Sequence, residues 1–439
     1  MGALPSGPER APTRGRRAAV LALHVLLAAI AAVEVGRDLG SPGDYTLFVE
    51  LGRAALAGRI PWDPAALPGR VLAPYATWPP AFAPLAAVLA AADGAAHEPA
   101  VLLFQLLNLA ALGWVLAVLA RWLYDRRLSL GVPAAAGPGE IPLAAVPVLG
   151  ALLVPFRPVL SNFEHAQSNL LILALALGGM WLLHRRRRLA GGLALGLATA
   201  FKATPLLLLP YLAWRGRWRD LGAAAGGCVV TWLLLPAALL GPGTTATWYS
   251  AWMGRSAAAV QATASLNQSL LALLRRWFPG APGWPLFLAV AAALGIVALA
   301  AFGRPGRAVG RRREAVEVAV VLAGMSVLSP LSWKAHYVTL VPLAAALLAL
   351  TPAGRRWRGA GDTGAASPRL DRAIYAALAV AFLAIDVPSH GLVGRPAAVA
   401  LEEAGIVTLA ALLLLGTALL VLATEGRGGA RREVVSRPS

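Results

Sequence analysis

Residues 185–219 read RRRRLAGGLALGLATAFKATPLLLLPYLAWRGRWR. Arginines open and close the stretch, and about 26 residues from Leu189 to Trp214, nearly all apolar, lie between them. Short basic loops stay on the cytoplasmic side of a membrane, so both ends belong on one side. The chain must leave and return within the segment. Each arm then has about 13 residues, roughly 20 Å of helix against a hydrocarbon core of roughly 30 Å. The expected structure is a pair of half-helices with Lys202 and Pro205 at the tip, a form tolerated where it lines a cavity.

Working outward, the same basic punctuation recurs at Arg14/Arg16/Arg17, Arg121/Arg126/Arg127, Arg304/Arg307/Arg311 to Arg313, Arg355/Arg356/Arg358 and Arg427/Arg431/Arg432. With every cluster inside, spans are expected over residues 18–36, 99–122, 141–156, 167–184, 220–240, 284–303, 314–330, 337–353, 372–388 and 403–423. Residues 79–92 are short and broken by Pro79, Pro80 and Pro84, which suits an interfacial or re-entrant helix. Counting both half-helices, the chain is expected to be an all-α polytopic membrane protein of about twelve transmembrane segments, with both termini cytoplasmic. Residues 37–78, 241–283 and 389–402 become outer loops. Residues 1–17 and 424–439 are expected to be disordered tails around a single membrane domain, 18–423. Residues 355–369 read as a flexible linker.

Composition agrees. The chain has 439 residues, 58% hydrophobic and 14% charged, with mean hydropathy +0.66. A soluble domain carries about 25% charged residues. The net charge of +18 sits in short loops beside spans, so it serves topology and anionic lipid headgroups rather than nucleic acid. The lone Cys228 excludes a disulfide framework. Six scattered His without paired His/Cys spacing argue against a metal site. No Gly-rich phosphate loop follows a strand, and no Ser/His/Asp or zinc spacing stands out.

The unusual polar residues fall toward the opposite, outer face. Asp44, followed by Tyr45, comes just after the first span, where a carboxylate can act as general base toward a hydroxyl. Glu50 and Asp63 are rivals, although Asp63 sits in turn chemistry between Pro61 and Pro64. Lys202 lies in an apolar segment, where a lysine is costly and by default functional; the alternative is snorkelling to a headgroup. His336, with Trp333 and Lys334 beside it, is placed to donate to a phosphate or stabilise a leaving group. Glu164, His165, Gln167 and Asn169 cluster where a span enters. Asn267 and Gln268 precede an apolar repeat at Leu266, Leu270, Leu273 and Leu274 that suits a helix lying on the outer membrane surface. Arg255, Arg275 and Arg276 are outer cations against the charge rule, which makes them candidates for an anionic group.

Several stretches together resemble glycosyltransferase family 87, the polyprenyl-phosphate-mannose-dependent mannosyltransferases of the GT-C superfamily, from about Gly43 to Leu350. They are Gly43-Asp44-Tyr45 with Gly52 to Gly58, Trp78-Pro79-Pro80, and His165 to Asn169. Ala190-Gly191-Gly192 leads on to Phe201 to Pro205, then come Asn267-Gln268-Ser269 and Ser329 to His336. The Lys-x-x-Pro element matches Lys202 and Pro205. The Ser-Trp-x-His-His element matches in part, with Ala335 in place of the first His and His336 keeping the second. The Gly-Gln element is Ala166-Gln167. The resemblance implies a GT-C-like bundle and transfer of a hexose, with mannose expected, from a polyprenyl-phosphate donor to a glycolipid or glycan acceptor. No cofactor is implied.

In that reading Asp44 is the base. Lys202 and His336, with Arg255 or Arg275, hold the donor phosphate, and configuration inverts at a site facing the periplasm or exterior of the cell membrane. Tyr45, Glu164, His165, Gln167, Asn267, Gln268, Trp333 and Lys334 are candidates to contact substrate. Transfer of arabinose or an aminosugar from the same lipid carrier stays open. So does transport of a lipid-linked glycan, which predicts duplicated halves and ionisable residues near mid-membrane; a single broken helix pair and one-sided polarity favour an enzyme.

Overall fold

The structure, a computed structural model, describes Val33, Gly36 and residues 43–61, 78–130, 137, 139–261, 267–357 and 368–435, the side chains of Gln261 and 426–435 aside. The expected tail 1–17, nearly all of the first span 18–36, Asp63 and most of the linker 355–369 lie outside the described residues.

Helices dominate. In chain order they are α1 (Asp44–Leu56), α2 (Ala83–Ala95), α3 (His97–Leu119, prolonged by a π turn to Tyr124), α4 (Val146–Leu153), α5 (Phe156–Glu164), α6 (Asn169–His184), α7 (Arg188–Phe201) and α8 (Leu208–Trp214). Next come α9 (Trp218–Val229), α10 (Leu235–Leu240), α11 (Pro242–Gln261), α12 (Leu270–Trp277), α13 (Gly283–Phe302), α14 (Arg311–Leu328), α15 (Leu340–Leu350) and α16 (Pro352–Arg355). The last are α17 (Pro368–Asp386), α18 (His390–Val393), α19 (Arg395–Glu403) and α20 (Ile406–Val435). Two three-residue strands, Arg127–Ser129 and Glu140–Pro142, pair in parallel.

Among the described residues four helices are long and apolar enough to cross a bilayer: His97–Tyr124, Trp218–Leu240, Gly283–Phe302 and Ile406–Glu425. The pair α4 and α5, bent by 61°, would make a fifth. The expected count of about twelve is not reached by length. Spans expected at 167–184 and 337–353 appear as shorter apolar helices, Asn169–His184 and Lys334–Leu350. Such helices are hidden by protein rather than matched to lipid. Every residue of α15 is buried, as a helix apolar all round should be.

The outer loops are corrected. Residues 44–56 are helical because Asp44 and Arg53 suit the two dipole ends and Tyr45, Phe48, Val49 and Ala55 bury one face. Residues 241–283 contain α11 and α12, and 389–402 contain α18 and α19. Low hydropathy concealed good helix formers in these loops. Leu270, Leu271, Leu273 and Leu274 are buried, so α12 is packed into the protein and does not lie on the membrane surface. The C-terminal tail is helical through Val435.

The segment 185–219 folds as a broken pair. Its arms are α7 and the run of a 3-10 turn, Thr204–Leu207, into α8. Both basic ends meet on one carboxylate: Arg188 Nε donates to Asp220 Oδ1 at 2.9 Å and Arg217 Nε to Oδ2 at 2.8 Å. The chain therefore returns to the end it left. Packing of α7 on α9 requires glycine, because a Cβ on Gly192 would sit 2.2 Å from the Ala223 carbonyl oxygen and one on Gly227 2.0 Å from that of Gly192.

Other arginine clusters gather at the same end of the bundle. Arg217 pairs with Glu314, and Arg215 Nη2 donates to Phe302 O at 2.9 Å. Arg311 bonds Arg121 O at 3.3 Å and Asp125 at 2.6 Å, while Arg126 Nε reaches Trp357 O at 2.5 Å. One large core runs along α3, α6, α14, α15 and α20. A second cluster joins α1, α2 and the start of α3, with Phe48 and Phe82 rings 5.2 Å apart.

Candidate active site

Gly43 turns the chain at φ +49° into α1, a left-handed conformation that glycine adopts cheaply. The turn presses on the α5–α6 link: Asp44 N–H donates to His165 O at 2.9 Å. A Cβ on Gly43 would lie 2.5 Å from that oxygen. Asp44 is thus held by backbone at the first position of α1.

Lys202 ends α7 in extended backbone, φ −158° and ψ 134°, before Pro205 opens the 3-10 turn. Proline suits that place because its missing N–H costs nothing there. His336 sits in the 3-10 turn Lys334–Thr339. Its Nδ1 accepts the Trp333 N–H at 3.0 Å. Lys202 Nζ lies 2.9 Å from Nδ1 and 3.0 Å from Nε2 of this imidazole.

These groups line one cavity of about 210 Å³. Asp44, Lys202 and His336 share it with Gln167, Ser168, Asn169, Trp78, Trp252, Ser256 and Trp333. The N-terminus of α6 opens there through Ser168 and Asn169, adding partial positive charge suited to an anion. Burial raises the Asp44 carboxyl from 3.8 to about 6, against the lowering pull of His165 and Lys202. The cavity therefore offers one carboxylate of raised basicity, a lysine backed by imidazole, and tryptophan walls.

Of the expected site residues, Asp44, Lys202, His336, Gln167 and Trp333 meet in this cavity; the others do not. Tyr45 is wholly buried in the second core, 5.4 Å from the Phe104 ring, because it follows Asp44 onto the inner face of α1. Glu164 is paired with Arg157. His165 is exposed, and it meets the site through its carbonyl oxygen, which accepts the Asp44 N–H. Lys334 bonds Glu402 at 2.5 Å and Pro388 O at 2.6 Å. Arg275 Nη1 donates to Val260 O at 2.8 Å, and Arg255 stands beside the lining residue Ser256 without itself lining the cavity. The rival Glu50 is paired with Arg53 at 3.0 Å.

Asn267 and Gln268 are buried positioning residues. Asn267 Oδ1 accepts the Ser332 and Ser269 N–H groups, each at 3.1 Å, and its Nδ2 donates to Pro330 O at 3.2 Å. Gln268 N–H donates to Ser332 O at 2.6 Å. Together they clamp the Ser329–Ser332 turn that forms one wall and leads to His336. Trp252, Ser256 and Val260 were not legible, because α11 read as loop; the signal available was a Trp and a Ser four residues apart on one helical face. Ala166 has φ +42°, which explains why the resembling element carries glycine there.

The model of Glycosyltransferase family 87 matches residues 76–332 of this chain. Two mycobacterial proteins are similar to it. One is a polyprenol-phosphate-mannose-dependent alpha-(1-2)-phosphatidylinositol pentamannoside mannosyltransferase of Mycobacterium tuberculosis, 31% identical over 195 residues, covering 44% of this chain and 43% of the relative. The other is a polyprenol-phosphate-mannose-dependent alpha-(1-2)-phosphatidylinositol mannoside mannosyltransferase of Mycolicibacterium smegmatis, 29% identical over 208 residues, covering 46% of each chain. The chain thus spans about half the length of these curated relatives. No solved structure matches.

Proposed function

The chain belongs to glycosyltransferase family 87, and from that premise we propose that it transfers mannose from a polyprenyl-phosphate donor to a glycolipid acceptor. The observation that carries the reading is the facing of one carboxylate, Asp44, by Lys202 backed by His336 within a single cavity. The names of the relatives favour mannose and a phosphatidylinositol mannoside type of acceptor.

In this mechanism the acceptor hydroxyl attacks the anomeric carbon while Asp44 takes its proton. A carboxylate of pKa about 6 is largely ionised at neutral pH and more basic than an ordinary one, near the optimum for proton transfer. The bond from the anomeric carbon to the phosphate oxygen breaks on the opposite face, so configuration inverts. Lys202 and the α6 N-terminus stabilise the departing polyprenyl phosphate. The site faces the outer side of the cell membrane and the arginine end the cytoplasm, within a GT-C-like bundle.

The test uses membranes carrying the full chain, donor labelled in the sugar, and a mannolipid acceptor extract. Wild type is expected to move label from polyprenyl-phosphate mannose and not from a nucleotide-linked mannose. Lys202→Met is expected to lower turnover on the order of 10²-fold, the scale for losing one stabiliser of a developing charge. Transfer from the nucleotide donor, or full activity in Lys202→Met, would sink the assignment.

Gly43→Ala probes positioning. The added methyl meets the His165 carbonyl at 2.5 Å, so α1 and the Asp44 carboxylate must shift. Misplacement by about 1 Å can cost on the order of 10² in rate, and a drop of that size is expected with donor KM nearly unchanged. Wild-type turnover in this variant would show that the Gly43 contact does not set the base.

A further inference from the structure

A second cavity, of about 550 Å³, lies where the arginine clusters of three separate links converge. It sits at the base of the broken helix pair, one length of α7 (14 residues, roughly 20 Å) from Lys202. Six arginines line it: Arg186, Arg188, Arg215, Arg217, Arg219 and Arg307. Asp220 and Glu314 are the two lining carboxylates, and both are consumed. Asp220 accepts from Arg188 and Arg217, while Glu314 holds Arg217 and His184. Arg215 is neutralised by Glu317 behind it.

The floor is therefore balanced, but the mouth is not. Arg186 and Arg219 are exposed around the opening with no lining carboxylate left to answer them. Beside them Trp218 is 66% exposed and Leu189 78% exposed. An exposed tryptophan at a span end sits at headgroup level, and basic pockets between helices at that depth suit anionic headgroups. We propose that this cavity binds the phosphate-bearing headgroup of an anionic phospholipid, separately from the sugar-transfer cavity.

The experiment measures thermal stabilisation of the delipidated full chain in detergent, titrated with phosphatidylglycerol, phosphatidylcholine or inorganic phosphate. Phosphatidylglycerol is expected to raise Tm saturably and phosphatidylcholine not to. Arg186→Gln/Arg219→Gln is expected to weaken that binding about tenfold, since each basic residue near an anionic surface adds to attraction. Its Tm without lipid should match wild type, because the floor pairs remain. Arg369→Gln/Arg372→Gln removes the same charge elsewhere and should bind as wild type. Equal weakening in both doubles would overturn the site. Equal stabilisation by phosphatidylcholine, or a full shift with inorganic phosphate alone, would overturn the lipid assignment.

Discussion

Asp44→Asn is expected to abolish detectable sugar transfer, a loss of roughly 10²–10⁴-fold for removing a general base. The carboxamide fills the same space and keeps the Asp44 N–H bond to His165 O, so the geometry of α1 persists. What it cannot do is take a proton. The pH profile gives the same argument a second reading. Wild-type kcat/KM should rise about tenfold per unit below a pH of about 6 and level off above it, since in the proposed mechanism only the ionised carboxylate, whose pKa is raised to about 6, can take the proton.

Stability runs the other way. Burial holds the folded-state pKa above the unfolded value of 3.8, so the contribution of the protonated carboxyl is full below about pH 4 and lost as pH rises through about 6. At neutral pH the neutral amide should therefore be at least as stable as wild type. A dead but thermally intact Asp44→Asn separates catalysis from folding. An active variant would remove Asp44 from the mechanism; Glu50, engaged by Arg53, would remain poorly placed to replace it.

Glu317→Ala is expected to destabilise the fold by about 3–5 kcal/mol, the cost of stripping one partner from a buried ion pair. Glu317 is fully buried and serves several donors. Arg215 reaches it from Nη2 and, at 2.9 Å, from Nε; Arg313 Nε bonds it at 3.0 Å and the Tyr211 hydroxyl at 3.2 Å. Without the carboxylate, the Arg215 guanidinium, itself 3% exposed, is left buried and charged. The loss should appear as a lower Tm and poor recovery in detergent. Arg215→Met/Glu317→Leu removes both charges and should recover most of it, because an apolar pair of similar volume escapes the desolvation cost. A double variant no better than Glu317→Ala would mean that packing rather than charge holds this end together.

The two ends of the helix pair 185–219 show where the sequence was informative. Charge and hydropathy along the chain act locally. Arginine cannot follow an apolar segment through lipid, so the out-and-back course of the pair, the prominence of Lys202 and the membrane class were legible in the order of residues alone. Asp44 and His336 were singled out as polar groups beside apolar spans, Asp44 in what read as an outer loop, and the structure brings them into one cavity. The helical character of 44–56, 242–261 and 395–403 was not, because moderate hydropathy and good helix propensity leave no periodic signature strong enough to separate helix from loop.

What only the tertiary structure decided is which polar residues share a cavity. Tyr45 and Asp44 are adjacent in sequence yet one is core and the other lines the site, since consecutive helical residues point about 100° apart. Lys202 and His336 are 134 residues apart yet lie 2.9 Å apart. Asn267, Gln268 and Lys334 were spent on holding a turn and a neighbouring helix. Residue type and spacing therefore determined that this chain is a helical membrane protein and singled out its unusual polar groups. Assignment of those groups to chemistry or to support depended on long-range packing, which no local pattern encodes.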